Sequence, residues 1–318
     1  MKLKPENTMI KHFPHIHVII ITGPTSSGKS QLSIAIAKEI SGEIINADSM
    51  QVYKDLNILS ARPNEIDQRT VPHHLYGHIS VTDTYSVGIW LKEVKKEIIE
   101  VNKRGNIPII CGGTGLYLKV LKEGLSNIPN ISPEYLNKAK SLYDNQGKSA
   151  ALNILQIADP TQSYQLKAND RQRVIRALSV LYATGRPLQY WHKQNKNHKE
   201  HNLAFLTICL HPPRDKLYQK INSRFDWMIK NGGIDEAKKI INKNLNPSLP
   251  SMKALSIPQL QQFFLGKIEL DEAIAKSKQS TRNFAKRQIS WIKNQSEADL
   301  TINAFPDCKN KNLSLAII

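Results

Sequence analysis

Gly23-Pro24-Thr25-Ser26-Ser27-Gly28-Lys29-Ser30 fits the phosphate-binding pattern G-x-x-x-x-G-K-[ST]. His17-Val18-Ile19-Ile20-Ile21 before it reads as a short buried strand. Leu32, Ala35, Ile36 and Ile40 after it fall at helical spacing. A strand, a glycine-bounded loop and a helix in that order make a cradle for a diphosphate. Backbone N–H groups wrap the anion, the helix N-terminus adds a favourable field, Lys29 adds a point charge, and the Ser30 hydroxyl suits Mg²⁺. The whole stretch Gly23, Pro24, Thr25, Ser26, Ser27, Gly28, Lys29 and Ser30 is therefore the expected diphosphate site, with Ser30 as the metal-side donor. The loop specifies a polyphosphate, but not which one or what happens to it.

Outward from the loop, Glu43-Ile44-Ile45-Asn46-Ala47-Asp48 reads as a second strand ending in an acid, which places Asp48 at the ligand edge of a parallel sheet. General base, Mg²⁺ partner and turn-capping acid are the three readings open to it. Val87, Trp90, Val94, Ile98 and Val101 form a core-facing helical stripe. Ile107 to Cys111 is a third buried strand. It runs into Gly112-Gly113-Thr114-Gly115, a second glycine-rich strand-to-helix turn, where glycines let a ligand approach the backbone. His73-His74 has no Cys or acid at metal spacing nearby, which favours packing or solvated roles.

After about Val120 the pattern turns helical. Arg173 and Arg176 share one helical face, suited to phosphate contacts, and Gly185-Arg186-Pro187 ends that helix. Leu203 to Leu210 returns to strand character. Leu217, Ile221, Phe225 and Met228 mark an amphipathic helix that stops at Gly232-Gly233. Arg224 stands beside its apolar stripe and needs an anionic partner, from a ligand or from a structural carboxylate. Arg282, Lys286, Ile289 and Lys293, with Arg287 adjacent, give a basic helix face. The expected organisation is α/β: a P-loop NTPase-like parallel sheet core over 17–120 and 203–302, with an inserted helical domain at 121–202. Residues 1–16 read as a disordered extension, with Met9 a candidate start, and 303–318 as a tail.

The chain has 318 residues, 44 Lys and Arg against 27 Asp and Glu, and a formal net charge of +17. That excess favours nucleic acid or acidic ligands, although a Lys-rich composition gives the same number without a partner. Three scattered cysteines, Cys111, Cys209 and Cys308, exclude a disulfide framework and fit a cytoplasmic setting. No apolar run approaches membrane-spanning length, so no membrane partner is expected.

The ordered pieces resemble one family, the bacterial tRNA dimethylallyltransferases. They are the loop at 23–30, Asp48-Ser49-Met50-Gln51-Val52-Tyr53-Lys54, Pro72-His73-His74-Leu75 and Gly112-Gly113-Thr114-Gly115-Leu116-Tyr117. Asn169-Asp170-Arg171-Gln172-Arg173-Val174-Ile175-Arg176-Ala177-Leu178, Thr184-Gly185-Arg186-Pro187 and the run from Thr281 to Trp291 complete the set. The resemblance implies Mg²⁺, dimethylallyl diphosphate as donor and adenosine 37 of tRNA as acceptor at N6. It assigns Asp48 to the N6 proton, with Thr114 in positioning and Arg224 on the diphosphate as the other catalytic residues. It implies tRNA contacts at Asp48, Ser49, Met50, Gln51, Thr114, Gln172, Arg173, Val174, Ile175, Arg176 and Lys253; the basic last helix adds Arg282 and Lys286. A monomer is expected.

The chain departs from the family where I-G-Y-[KR]-[EQ] is usual. It reads Leu255-Ser256-Ile257-Pro258-Gln259, and Pro258 is expected to alter the backbone. Ser60-Ala61-Arg62-Pro63 stands for the family's T-A-K-P. An adenylate isopentenyltransferase, a P-loop metabolite kinase and a non-catalytic RNA-binding relative stay open beside the tRNA enzyme.

Overall fold

The computed structural model describes residues 16–160, 166, 170–194, 203–295 and 297–306. The N-terminal extension, most of the His-rich loop before residue 203 and the tail from 307 lie outside the described residues. The chain divides into two compact units: 122–201 form one, and the residues before and after form the other.

The larger unit is built on a six-stranded sheet, all of whose strand pairs are parallel. The strands are β1 (Ile16–Thr22), β2 (Gly42–Asn46), β3 (His73–His74), β4 (Ile107–Cys111), β5 (Ala204–Leu210) and β6 (Leu300–Ile302), in the order β3-β2-β4-β1-β5-β6. Val18, Ile19, Ile20 and Ile21 are all buried, so successive side chains on both faces of β1 are covered. Continuous apolar runs are what a parallel sheet covered on both faces requires. Ile19 pairs with Ile109 on one side and Leu206 on the other, which puts β1 at the centre.

Helices α1 (Lys29–Ile40), α2 (Glu65–Thr70), α3 (Val87–Lys103) and α4 (Gly115–Glu123) follow the first four strands. The α3 stripe packs as its periodicity predicts, with Trp90, Val94, Ile98 and Val101 buried, and the Ser86 hydroxyl caps its N-terminus. Trp90 stacks on Tyr117 with centroids 4.4 Å apart, and its indole N–H donates to the Asn46 carbonyl at 2.8 Å. That bond ties α3 to the end of β2.

The smaller unit holds α5 (Pro133–Ala158), α6 (Arg171–Thr184) and α7 (Leu188–Gln194). Ala139, Ala151, Leu155, Val174, Ile175 and Leu178 form its core. Gly147 breaks α5 with φ 84°, and Gly185 closes α6 in the left-handed conformation.

After β5 the larger unit continues with α8 (Arg214–Met228), α9 (Ile234–Ile241), α10 (Ile257–Phe264) and α11 (Leu270–Gln295). A π-helical turn at Ile229–Gly233 joins α8 to α9, with Gly232 at φ 98°. Among the described residues no helix is long and apolar enough to cross a membrane.

Glu43 lies inside β2, its side chain 3% exposed. Arg104 donates to it from Nε at 2.9 Å and Nη2 at 2.7 Å, and Asn106 at 2.6 Å. His74 Nε2 lies 2.5 Å away and its Nδ1 3.4 Å from Glu97. His74 thus joins a carboxylate cluster rather than packing alone, while His73 Nδ1 donates to the Val71 carbonyl at 2.8 Å. Among the described residues no group of three His, Cys, Asp or Glu could hold a metal. Hydrogen bonds from Arg104 hold the Glu43 carboxyl down at about 2, against the effect of burial. A depressed carboxylate stabilises the fold above its unfolded value and loses that contribution as the pH falls through its folded value. The lowering is worth about 3 kcal/mol, present above pH ~4.5 and lost toward pH ~2. Glu43→Gln is expected to lower the urea midpoint at pH 7 by the equivalent of about 2–3 kcal/mol and to flatten the acid loss between those pH values.

Candidate active site

Three neighbouring strands, β2, β4 and β1, bring their carboxyl ends together, and each carries one loop of the site. The β1 loop runs directly into α1. Gly28 is the left-handed N-cap at φ 95°, a conformation that favours glycine. The Ser27 N–H donates to the Pro24 carbonyl at 3.2 Å, and Lys29 Nζ donates to the same oxygen at 2.8 Å. Burial pulls the Lys29 ammonium below its usual range, opposed by Cys111 and Asp48. The Ser26 and Ser27 hydroxyls are buried with no partner. Orphaned buried hydroxyls on such a loop are what a missing anionic ligand leaves behind.

At the end of β2, Asn46 grips the backbone of the next turn. Its Nδ2 donates to the carbonyls of Asp48 and Leu75, each at 3.0 Å, and its Oδ1 accepts the Asp48 N–H at 2.8 Å. Asp48 Oδ1 accepts the Met50 N–H at 2.9 Å. The turn-acid reading therefore holds for one carboxylate oxygen and leaves the other for chemistry. Thr114 Oγ1 accepts the Ser49 N–H at 3.0 Å, so the β4 turn also fixes the Asp48 turn.

The glycines of that second turn depart from expectation in part, since Gly112 lines the cavity beside the β1 loop but Gly113 and Gly115 do not. They admit the protein's own atoms. A Cβ on Gly112 would come within 2.2 Å of the Ala47 backbone, one on Gly113 within 2.2 Å of Gln288 Nε2, and one on Gly115 within 2.3 Å of the Trp291 ring. Helix α11 lies over the turn and takes the space. Gln288, to which the sequence reading gives no role, is buried there. Its Nε2 donates to the Gly113 carbonyl at 2.9 Å and its Oε1 accepts the Thr25 N–H at 2.8 Å. A polar side chain on the buried stripe of Ser277, Thr281 and Ala285 is the signal that could have found it.

Arg224 donates from Nη2 to Thr25 Oγ1 at 2.6 Å. Burial brings its guanidinium down to about 10, with Asp48 pulling the other way. Among the described residues it has no ion-pair partner, so the structural-carboxylate reading finds no support. Two chambers meet at this point. One, of about 710 Å³, is lined by the β1 loop, Lys216, Lys220 and Phe305. The other, of about 240 Å³, is lined by apolar groups including Met50, Leu59, Phe225, Met228 and Phe284, with Lys253 and Arg287. Thr25, Asp48, Ser60 and Arg224 line both. The geometry suits an anion in the first chamber, a flat or apolar group in the second, and a proton acceptor where they join.

The remaining expected residues divide. Ser49 and Met50 line the apolar chamber. Gln51 donates to the carbonyls of Ser60 at 3.0 Å and Ala61 at 2.8 Å and so braces the chamber wall. Glu236 braces the same wall by accepting the Asn57, Ile58 and Leu59 N–H groups. Thr114 lines neither chamber and acts through Ser49. Arg282 is engaged by Asn222 Oδ1 at 2.7 Å and Gln279 Oε1 at 2.6 Å, and Lys286 lines neither chamber; Arg287 faces the apolar one instead. Val174 and Ile175 are buried in the helical unit, which corrects their assignment as RNA contacts; Gln172, Arg173 and Arg176 are exposed.

Segment 255–259 also differs from expectation. Pro258 sits in the first turn of α10, where no backbone N–H is needed, and the helix forms. Ser256, at the place of the family's glycine, keeps a left-handed φ of 79°. Serine there is strained.

Fold and site together define a P-loop α/β protein with an anion chamber opening onto a carboxylate and an apolar chamber. The family model described as IPP transferase matches residues 51–295, and one described as isopentenyl transferase matches 16–73. The tRNA dimethylallyltransferase of Hyphomonas neptunium is 40% identical over 277 residues, 87% of this chain and 88% of that protein. The solved full-length tRNA isopentenylpyrophosphate transferase of Bacillus halodurans aligns over 90% of this chain and 89% of its own, at 30% identity and a TM-score of 0.66. A eukaryotic dimethylallyltransferase solved acting on tRNA aligns over 94% of this chain and 76% of its own, at 27% identity and a TM-score of 0.81. The chain belongs to the tRNA dimethylallyltransferase family.

Ser256→Gly relieves a left-handed serine and is expected to raise the urea midpoint by the equivalent of about 0.5–1 kcal/mol. Gln288→Leu leaves the Thr25 N–H and Gly113 carbonyl unpaired and is expected to lower it by about 2 kcal/mol.

Proposed function

We propose that this protein transfers the dimethylallyl group of dimethylallyl diphosphate to N6 of adenosine 37 in the anticodon loop of tRNA and releases diphosphate. The observation that carries the reading is the junction of the two chambers at Thr25, Asp48 and Arg224. The diphosphate takes the larger chamber. Lys29 exchanges its bond to the Pro24 carbonyl for a phosphate oxygen, and Arg224, oriented by Thr25 Oγ1, binds beside it. Both cations then face the negative charge that builds as the allylic C–O bond breaks. Ser30 lines this chamber and is the hard-oxygen donor that would hold Mg²⁺ against a diphosphate, the usual arrangement of one or two protein oxygens plus phosphates. That ion, when bound, neutralises charge on the leaving oxygens.

The adenine enters the apolar chamber as a splayed base, since a base stacked in a loop exposes no amine to attack. N6 attacks the allylic carbon, and the free oxygen of Asp48 takes the proton as the bond forms, because a neutral exocyclic amine is too weakly acidic to lose it first. Asn46 and Thr114 hold the Asp48 turn. Lys253 and Arg287 suit the phosphates flanking the splayed nucleotide, and the exposed Gln172, Arg173 and Arg176 on the helical unit suit further backbone contacts.

Single-turnover transfer from labelled donor to an anticodon stem-loop tests the reading. The wild type is expected to prenylate the RNA. Asp48→Ala should lose about 10²–10⁴ of the single-turnover rate, and Arg224→Gln should weaken the donor more than the RNA. Transfer to AMP in place of RNA would move the reading to an adenylate isopentenyltransferase. RNA binding without transfer to either acceptor would move it to a non-catalytic relative.

A further inference from the structure

Lys216, Lys220 and Arg224 are spaced by four residues along α8, and all three line the larger chamber. With Lys29 they place four cations around a cavity whose lining, among the described residues, carries one carboxylate, Asp48. Among the described residues no carboxylate lies within ion-pair distance of Lys216 or Lys220.

Lys220 has a different neighbour. Its Nζ stands 3.8 Å from the centroid of the Phe305 ring. Phe305 itself lines the chamber and packs against the cluster of Leu217, Ile221 and Ala285. The next residue closes the arrangement. Pro306 lies so near the β1 loop that a Cβ on Gly28 would come within 2.8 Å of its ring carbons. The segment after β6 therefore returns from the sheet edge to the phosphate loop, and the Lys220–Phe305 pair forms the chamber's outer wall.

We infer that Lys220 is a further diphosphate ligand and that the Phe305 ring is its resting place before the donor binds. A ring face holds an ammonium more weakly than a phosphate oxygen does, and it leaves the charge unneutralised. Exchange from ring to phosphate is then favourable, whereas a carboxylate partner would compete with the anion. Lys220 is exposed, so its position reflects the ring rather than a tight pocket. The inference rests on the proposed diphosphate reading of the loop.

The test is calorimetric titration of inorganic diphosphate with Mg²⁺ into the full chain, with urea midpoints recorded for every variant. Lys220→Met is expected to weaken binding about tenfold or more at an unchanged midpoint, and Lys220→Arg to stay within about threefold of the wild type. Phe305→Leu removes a contact that binding breaks, so it should tighten binding about threefold alone and add nothing in the Lys220→Met background. In turnover, Lys220→Met should raise KM for dimethylallyl diphosphate and leave KM for the stem-loop unchanged. Wild-type diphosphate affinity in Lys220→Met would overturn the inference and leave the diphosphate reading standing. An undiminished Phe305→Leu effect in the Lys220→Met background would overturn the role of the ring. No binding by the wild type would overturn the diphosphate reading and this inference with it.

Discussion

One side-chain amide holds the two ligand loops together. Gln288 accepts from Thr25 with its oxygen and donates to Gly113 with its nitrogen, so both halves of the amide are used inside the protein. Only a group that carries donor and acceptor side by side can do this; a carboxylate or an ammonium would leave one loop unpaired. The geometry then dictates its surroundings. Gly113 must lack a side chain because the amide occupies that space, and Gly115 must lack one because Trp291, a turn further along α11, occupies the next. The long last helix is thus a brace across the carboxyl edge of the sheet, and the positions of Thr25, Arg224 and the Asp48 turn follow from it.

The site is also an electrostatic imbalance held by packing. Lys29 and Arg224 are both desolvated, and burial lowers the pKa of each. Among the described residues, Asp48 is the one carboxylate in the chamber lining. A cluster of this kind opposes folding unless an anion completes it, since buried charge without a partner is costly. The rest of the domain supplies the compensation: a sheet covered on both faces, and at another place in β2 a Glu43 carboxylate surrounded by donors. The two arrangements are opposites, one charge fully matched for stability and one left unmatched for a ligand.

Much of this was legible from local pattern. Continuous apolar runs identified β1, β2, β4 and β5, while the short outer strands β3 and β6 carry no such run and were not legible; a 3.6-residue stripe identified α3, and a strand-end position singled out Asp48. Long-range partners were not legible. The reach of Gln288 to Thr25 spans 263 residues, and nothing near either residue encodes the other. Glycines that admit a ligand and glycines that admit a neighbouring helix look alike in one sequence, so the pattern could not say that Gly113 and Gly115 face α11 while Gly112 lines the larger chamber. Helical periodicity gave the angle of the basic face on α11, yet it could not say that Arg282 would be engaged by Asn222 while the exposed Arg287 lined the apolar chamber. Val174 and Ile175 sit between exposed arginines in a motif, and only the packing of α5 on α6 separates core from surface. Segment 255–259 is a different case: its side chains depart from the family's pattern, and Ser256 takes a left-handed backbone that the sequence did not announce.

The return of the chain's last described residues to its first loop has a consequence for biosynthesis. Strand β1 needs β5 as a neighbour, Thr25 needs Gln288, and Gly28 is covered by Pro306. A ribosome elongating at roughly 5–20 residues per second finishes the phosphate loop early and exposes its partners some tens of seconds later. Throughout that interval the nascent loop lacks its brace and its outer wall. A nascent chain that has not yet reached Gln288 and Pro306 would therefore hold the phosphate-binding motif without the contacts that brace and cover it.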